Sequence, residues 1–206
     1  MRHQFYTDSR DVLKWSLVKQ LATGRYVTWV VMLRPDSERS DKAHGSTRHQ
    51  IEGADPTVAG FFSIERDRIA GGEPKNLFRI AKLLPSLGLG CCVVPDLYPA
   101  NGTEQDWYFS RVCTGLKERP VDRRDLVFVD PDNGIAGENP QPEHVQPEHL
   151  ALVWSTLRKG DGLLVYQHQF RQTNWEQMKR KQLQSVVGCS VSVHGSGAVR
   201  FLLAEK

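Results

Sequence analysis

Two short runs constrain the fold more than anything else in the chain: Tyr26-Val-Thr-Trp-Val-Val-Met-Leu33 and Asp125-Leu-Val-Phe-Val129. A strand with one face in water alternates apolar and polar residues. A run that is apolar or β-branched at successive positions needs cover on both faces, as a central strand of a parallel sheet has. Both runs stop abruptly, the first at Arg34-Pro-Asp36 and the second at Asp130-Pro-Asp-Asn-Gly134. Leu89 to Val94 reads as another buried strand, holding Cys91 and Cys92 as small hydrophobes and ending at Pro95-Asp96.

Helical patterns lie between these strands. Asp8 or Ser9 can cap a first helix in which Leu13, Leu17 and Leu21 recur every four residues, and Gly24 is placed to end it. Asn76 to Leu87, Glu148 to Arg158 and Asn174 to Val187 have helical period, with Thr173 or Asn174 as the cap of the last. Gly60 to Ile64 reads as a short strand ending at Glu65, and Gly162 to His168 as a longer one. Asn101 to Cys113, with Trp107, Tyr108 and Phe109, shows no decisive pattern. Cys189 to His194 and Ala198 to Ala204 flank Gly195-Ser-Gly197, a hairpin signature. This order predicts a single Rossmann-like α/β domain over residues 1–206, an open sheet with helices on both faces and a C-terminal β-hairpin. A long polar loop is expected at 37–55 and a polar linker at 135–147.

With 39% hydrophobic and 25% charged residues, a chain of 206 residues can bury a core unaided. No apolar run approaches the roughly 20 residues that span a bilayer, and Met1 to Arg10 carries no signal-peptide core. No membrane partner and a cytoplasmic location are the expectations. A net charge of +3 permits a nucleic-acid partner without demanding one. The basic clusters Arg119 to Arg124 and Lys179 to Lys181 read as a solvated loop and helix face, and His144 and His149 as solvated linker side chains. Trp15 and Trp154, on amphipathic helices, read as core.

In an open α/β sheet, ligands bind beyond the carboxyl ends of the strands. There the Asp130-Pro131 turn resembles the Asp-Pro-Pro-aromatic loop of adenine-N6 methyltransferases. His3, Phe5 and Asp11-Val-Leu-Lys14 are similar to the opening of the bacterial large-subunit ribosomal RNA adenine-N6 methyltransferase family. The order of elements agrees as well. The resemblance implies a class I methyltransferase-like fold, S-adenosylmethionine as cofactor, and RNA or DNA as substrate. It places Asp130 at the reacting amine with Asp132 and His168 beside it. Asp36, Pro131 and Asn133 fall toward the cofactor, and Tyr166, Arg171 and Lys14 toward the substrate.

The chain departs from that family at two points. Arg34-Pro-Asp-Ser37 stands where a Gly-rich turn would let the backbone approach the cofactor. Asp132-Asn133 stands where a proline and a base-stacking aromatic belong, leaving Phe170 or Trp175 as the substitutes. The same departures suit a second chemistry, a metal-dependent phosphoesterase or nuclease. In that reading Asp36, Asp130 and Asp132, with Glu65 as a further ligand, hold Mg²⁺ or Mn²⁺. His168 is then the acid or base, and Arg171 takes the phosphate. A non-catalytic Rossmann-like module binding a partner at this edge is the third alternative.

Overall fold

The computed structural model describes residues 6–35, 53–169, 173–195 and 199–206. Helix α1 (Ser9–Leu21) leads into β1 (Tyr26–Val31). After it come α2 (Pro56–Ala70), a 3₁₀ segment (Leu77–Lys82), the short α3 (Leu83–Ser86) and β2 (Cys91–Val94). Next are α4 (Gly102–Glu118), β3 (Asp125–Asp130), the two-residue strands β4 (Gly134–Ile135) and β5 (His144–Val145), and α5 (Pro147–Thr156). β6 (Gly162–His168), α6 (Trp175–Val187), β7 (Val191–His194) and β8 (Val199–Glu205) complete the chain.

The main sheet has the order β2-β1-β3-β6-β8-β7. β2, β1, β3 and β6 run parallel, whereas β8 runs antiparallel to both β6 and β7. The expected α/β sheet and C-terminal hairpin are present; residues 196–198 of its turn lie outside the described residues. The unbroken apolar runs have the cause inferred for them. On one face Val27, Trp29, Val31, Leu126 and Phe128 pack with α1, α2 and α3. On the other, Val30, Met32, Val127 and Val129 pack with α4, α5 and α6.

Several local expectations need correction. Gly60 to Ile64 is not a strand but the middle of α2. Asp55 caps that helix by accepting from the amides of Thr57 and Val58, Pro56 occupies its first turn, and Val58, Phe62 and Glu65 face inward at helical spacing. Asn101 to Cys113, where the sequence shows no decisive pattern, is the start of α4, whose Asn101 side chain accepts from the Glu104 amide. β2 is an edge strand, so Cys92 is exposed and Cys91 half-buried. Asn174 makes no side-chain cap bond to α6.

The polar linker is also structured. Ile135, Ala136 and Val145 are buried, β4 pairs with β5, and the Gln167 side chain accepts from the Ile135 amide at 3.0 Å. Lys179 is buried and donates to the carbonyls of Ile135 and Ala136 at 2.8 and 3.1 Å, so it is no solvated cation. His144 and His149 are buried too. His144 Nδ1 accepts from the Gln141 amide at 3.1 Å, and His149 stacks on Phe109 and meets Asp106 at 2.8 Å. Trp15 is core as expected, edge-on to Trp29 at 4.7 Å. Trp154 is only half-buried, with the Lys206 ammonium over its ring.

Candidate functional site

From β1 the chain passes outward to β2, and from β3 it passes the other way to β6. The carboxyl ends of β1 and β3 therefore flank the switch point of the sheet, where open α/β folds form their ligand crevice. Three groups of residues meet there.

The first group lies below the crevice. Asp130 closes β3 and is fully buried, with its Oδ1 and Oδ2 at 3.1 and 3.2 Å from Lys14 Nζ. Trp29, on the neighbouring strand, donates its indole N–H to Asp130 Oδ2 at 3.2 Å. Lys14 comes from α1, 116 residues away, and also lies 3.6 Å from Asp11 and 5.0 Å from the centre of the Tyr166 ring. Asp11 in turn accepts from the Thr7 amide at 3.0 Å, which holds Thr7 in a left-handed conformation (φ 74°).

One ammonium thus serves two buried carboxylates. Burial pushes the Asp11 carboxyl up to about 7 against the pull of Lys14, and the charges of Asp8 and Asp130 add to the rise. Burial alone would lower Lys14, but Asp130 and Asp11 outweigh it and hold the ammonium above its ordinary value. Burial raises the Tyr166 phenol against the pull of Lys14.

The second group is the turn after β3. The Asn133 amide donates to the Glu143 carbonyl at 3.3 Å, and Gln167 Nε2 donates to the Asn133 carbonyl at 3.2 Å. Gly134 has φ +94°, and a Cβ there would stand 2.3 Å from Gln167 Nε2, so the turn admits only glycine. Tyr166 and Gln167 point to opposite faces of β6, as alternation requires. Tyr166 joins the α1 side of the core, and Gln167 ties down β4. His168 ends β6 with Nδ1 buried and without a hydrogen-bond partner among the described residues. Burial and the charge of Arg10 lower its pKa, against the opposing pull of Asp132, so the ring is neutral at neutral pH. Asp132 and His168 are therefore near neighbours electrostatically.

The third group follows β1. Leu33 forms a bridge with Leu97, its carbonyl accepts from the Tyr98 amide at 2.7 Å, and the Tyr108 hydroxyl donates to the Val31 carbonyl at 2.9 Å. These bonds fix the chain where Arg34 leaves the sheet. Arg34 Nη1 is 3.9 Å from Glu143, and both Nη1 and Nε are buried without a hydrogen-bond partner among the described residues.

The structure thus brings Asp130, Lys14 and Tyr166 together and puts Pro131, Asp132, Asn133 and His168 at the same edge. Asp36 and Arg171 lie outside the described residues, as do His3, Phe5 and Phe170. Glu65 is not offered to this edge as a metal ligand. It is bound by Arg79 at 2.5 Å and by the Tyr6 hydroxyl at 3.1 Å. Among the described residues, no group of three or more His, Cys, Asp or Glu side chains is placed to hold a metal ion. Trp29 and Arg34 were missed as site residues. Trp29 gives no signal inside an apolar run, whereas Arg34, a charge directly after a central strand, does give one.

The chain matches no protein-family model and no curated protein. No helix among the described residues is long and apolar enough to cross a membrane.

Proposed function

We propose that this chain is a nucleic-acid-modifying enzyme related to the S-adenosylmethionine-dependent adenine-N6 methyltransferases, working at the carboxyl edge of β1, β3 and β6. One observation carries the reading. The two short stretches that resemble that family, Asp11-Val-Leu-Lys14 and Asp130-Pro131, lie far apart in sequence and meet as a buried ion pair. The reversed β8, inserted between β6 and β7, accords with a class I methyltransferase-like sheet.

The fit to S-adenosylmethionine rests on a side chain rather than on a backbone cradle. Pro35 has no N–H to offer, but Arg34, whose Nε and Nη1 lack hydrogen bonds among the described residues, stands beside the crevice and suits the carboxylate of such a molecule. When bound, that cofactor supplies an electrophilic methyl group.

The chain's own residues orient the acceptor. Asp130 is sealed, with both oxygens occupied, so it works as a positioning residue that fixes the start of the Pro131 to Asn133 turn. Asp132, Asn133 and the neutral His168 stand at the edge where a ligand would sit, with His168 Nδ1 buried and without a hydrogen-bond partner among the described residues.

Calorimetric titration of the intact protein with S-adenosylmethionine and S-adenosylhomocysteine tests the reading. Saturable binding of either, weakened in Lys14→Met, supports it. If neither binds while Mn²⁺ does, methyl transfer is excluded and metal-dependent phosphoester chemistry takes its place.

A further inference from the structure

The geometry points to an oxyanion-binding subsite at Arg34, which takes the carboxylate or phosphate of a small-molecule ligand in the crevice between β1 and β3. This deepens the reading above by naming the group recognised, and it rests on that reading only for the edge at which the ligand sits.

Arg34 is held in place before any ligand arrives. Its backbone follows Leu33, which is bonded to Leu97 and Tyr98, and the tip of Glu143 approaches only to 3.9 Å. That distance is too long for a hydrogen bond. Nε and Nη1 are buried and unpaired, and the hydroxyl of Tyr98, which lies in the field of Arg34, is also buried without a partner among the described residues. Each buried donor left unmade costs about 1–3 kcal/mol, so several at one place call for a ligand or water that bonds them.

Neutralising the charge does not need that ligand, because Glu143 is near. Bonding the buried Nε and Nη1 donors does. A carboxylate or a phosphate offers charged acceptor oxygens and bonds such donors more strongly than a neutral acceptor does. The Arg34 and Glu143 side chains keep 17% and 25% of their surface, but Nε and Nη1 themselves are buried, so a ligand reaches those two donors only by displacing what covers them. The Asn133 amide bonds the Glu143 backbone, so the subsite is coupled to the turn after β3 and an anchored ligand would lie against Asp132 and Asn133.

The test is calorimetric titration of the intact protein with S-adenosylhomocysteine, adenosine 5′-monophosphate and uncharged adenosine. At least one of the two probes that carry an oxyanion, the zwitterionic S-adenosylhomocysteine or the monophosphate, should bind about tenfold or more tightly than adenosine. Arg34→Met should abolish that advantage, Arg34→Lys should keep part of it, and Glu143→Gln should increase it by removing the competing carboxylate. Glu143→Gln keeps the arginine and its packing, so it decides the matter even if Arg34→Met does not fold. Binding of S-adenosylhomocysteine identifies the anion as an amino-acid carboxylate and supports both readings. Binding of the monophosphate alone keeps the oxyanion subsite and removes the methyltransferase reading. Oxyanion-bearing probes no tighter than adenosine, in both the natural protein and Glu143→Gln, would overturn the inference.

Discussion

Buried charge lies at both ends of the central strands, but the two ends are built differently. At the amino end, Arg119 is sealed from water, pairs with Asp161 and lies 3.6 Å from Asp125, while Arg123 bonds Asp125 at 2.8 and 3.0 Å. Asp161 also accepts from the amides of Asp125 and Arg158, at 2.9 and 2.5 Å. Two guanidinium groups therefore meet two carboxylates, and the cluster joins the starts of β3 and β6 to the end of α4. At the carboxyl end, one ammonium serves Asp11 and Asp130, while Arg34 and His168 retain unpaired nitrogens.

Unpaired nitrogens alone do not separate the two ends, since Arg119 Nε and Nη1 also lack hydrogen bonds. Charge balance and access do. Arg119 is sealed between two carboxylates, whereas Arg34 is partly open and faces one carboxylate beyond bonding distance. A balanced, sealed cluster holds structure. The unbalanced cluster at the switch point is the one on which the proposed function draws.

If that contrast is right, breaking the amino-end cluster should cost stability alone. Arg119→Met leaves Asp161 and Asp125 buried with too little positive charge, and should lower unfolding free energy by about 3–5 kcal/mol in urea titrations. The folded fraction should keep its ligand affinity. A loss below 1 kcal/mol would mean that the pair is dispensable.

Lys14→Met at the other end should cost about 3 kcal/mol near pH 8 and less near pH 5. The sign follows from the two carboxylates it abandons. Their folded-state pKa values rise, so the folded protein takes up protons as pH falls and relieves its own repulsion. A pH-independent loss would show that the carboxylates are not coupled through Lys14.

Gly134→Ala should remove about 2 kcal/mol through backbone strain and displacement of the buried Gln167 amide. It also sharpens the comparison, because it disturbs the carboxyl-end turn without touching a charge. Unchanged stability would place the turn in another conformation.

The smallest effect should come from His144 and His168. Burial depresses both, so in the interval below the ordinary histidine pKa the unfolded chain binds more protons than the folded one. Stability is thus lost as pH falls below about 6.5 and stops falling once pH passes the folded-state values. His144→Gln should flatten that part of a thermal-denaturation pH profile, and an unaltered slope would assign it to other groups.

Much of the fold is visible in the sequence because its cause is local. Continuous β-branched runs require two covering layers, and the hairpin required glycines between two strands. The errors also have local causes. Phe61, Phe62 and Ile64 look like a strand until the Asp55-Pro56 cap is weighed, and Asn101 with Glu104 is a local cap signal for α4. The linker misled because its cover comes from elsewhere: Gln167 and Lys179 satisfy its backbone from β6 and α6.

The sequence by itself determined the parallel sheet, its terminal hairpin and the edge at which Asp130, Asp132 and His168 stand, since strand ends can be read from where apolar runs stop. Only the tertiary structure decided that Lys14 reaches Asp130, that Trp29 joins them and that Nε and Nη1 of Arg34 lack hydrogen bonds among the described residues. Those facts depend on how α1, β1 and β3 are brought together. Pairing and desolvation of charge are properties of three-dimensional neighbours, which spacing along a chain does not encode.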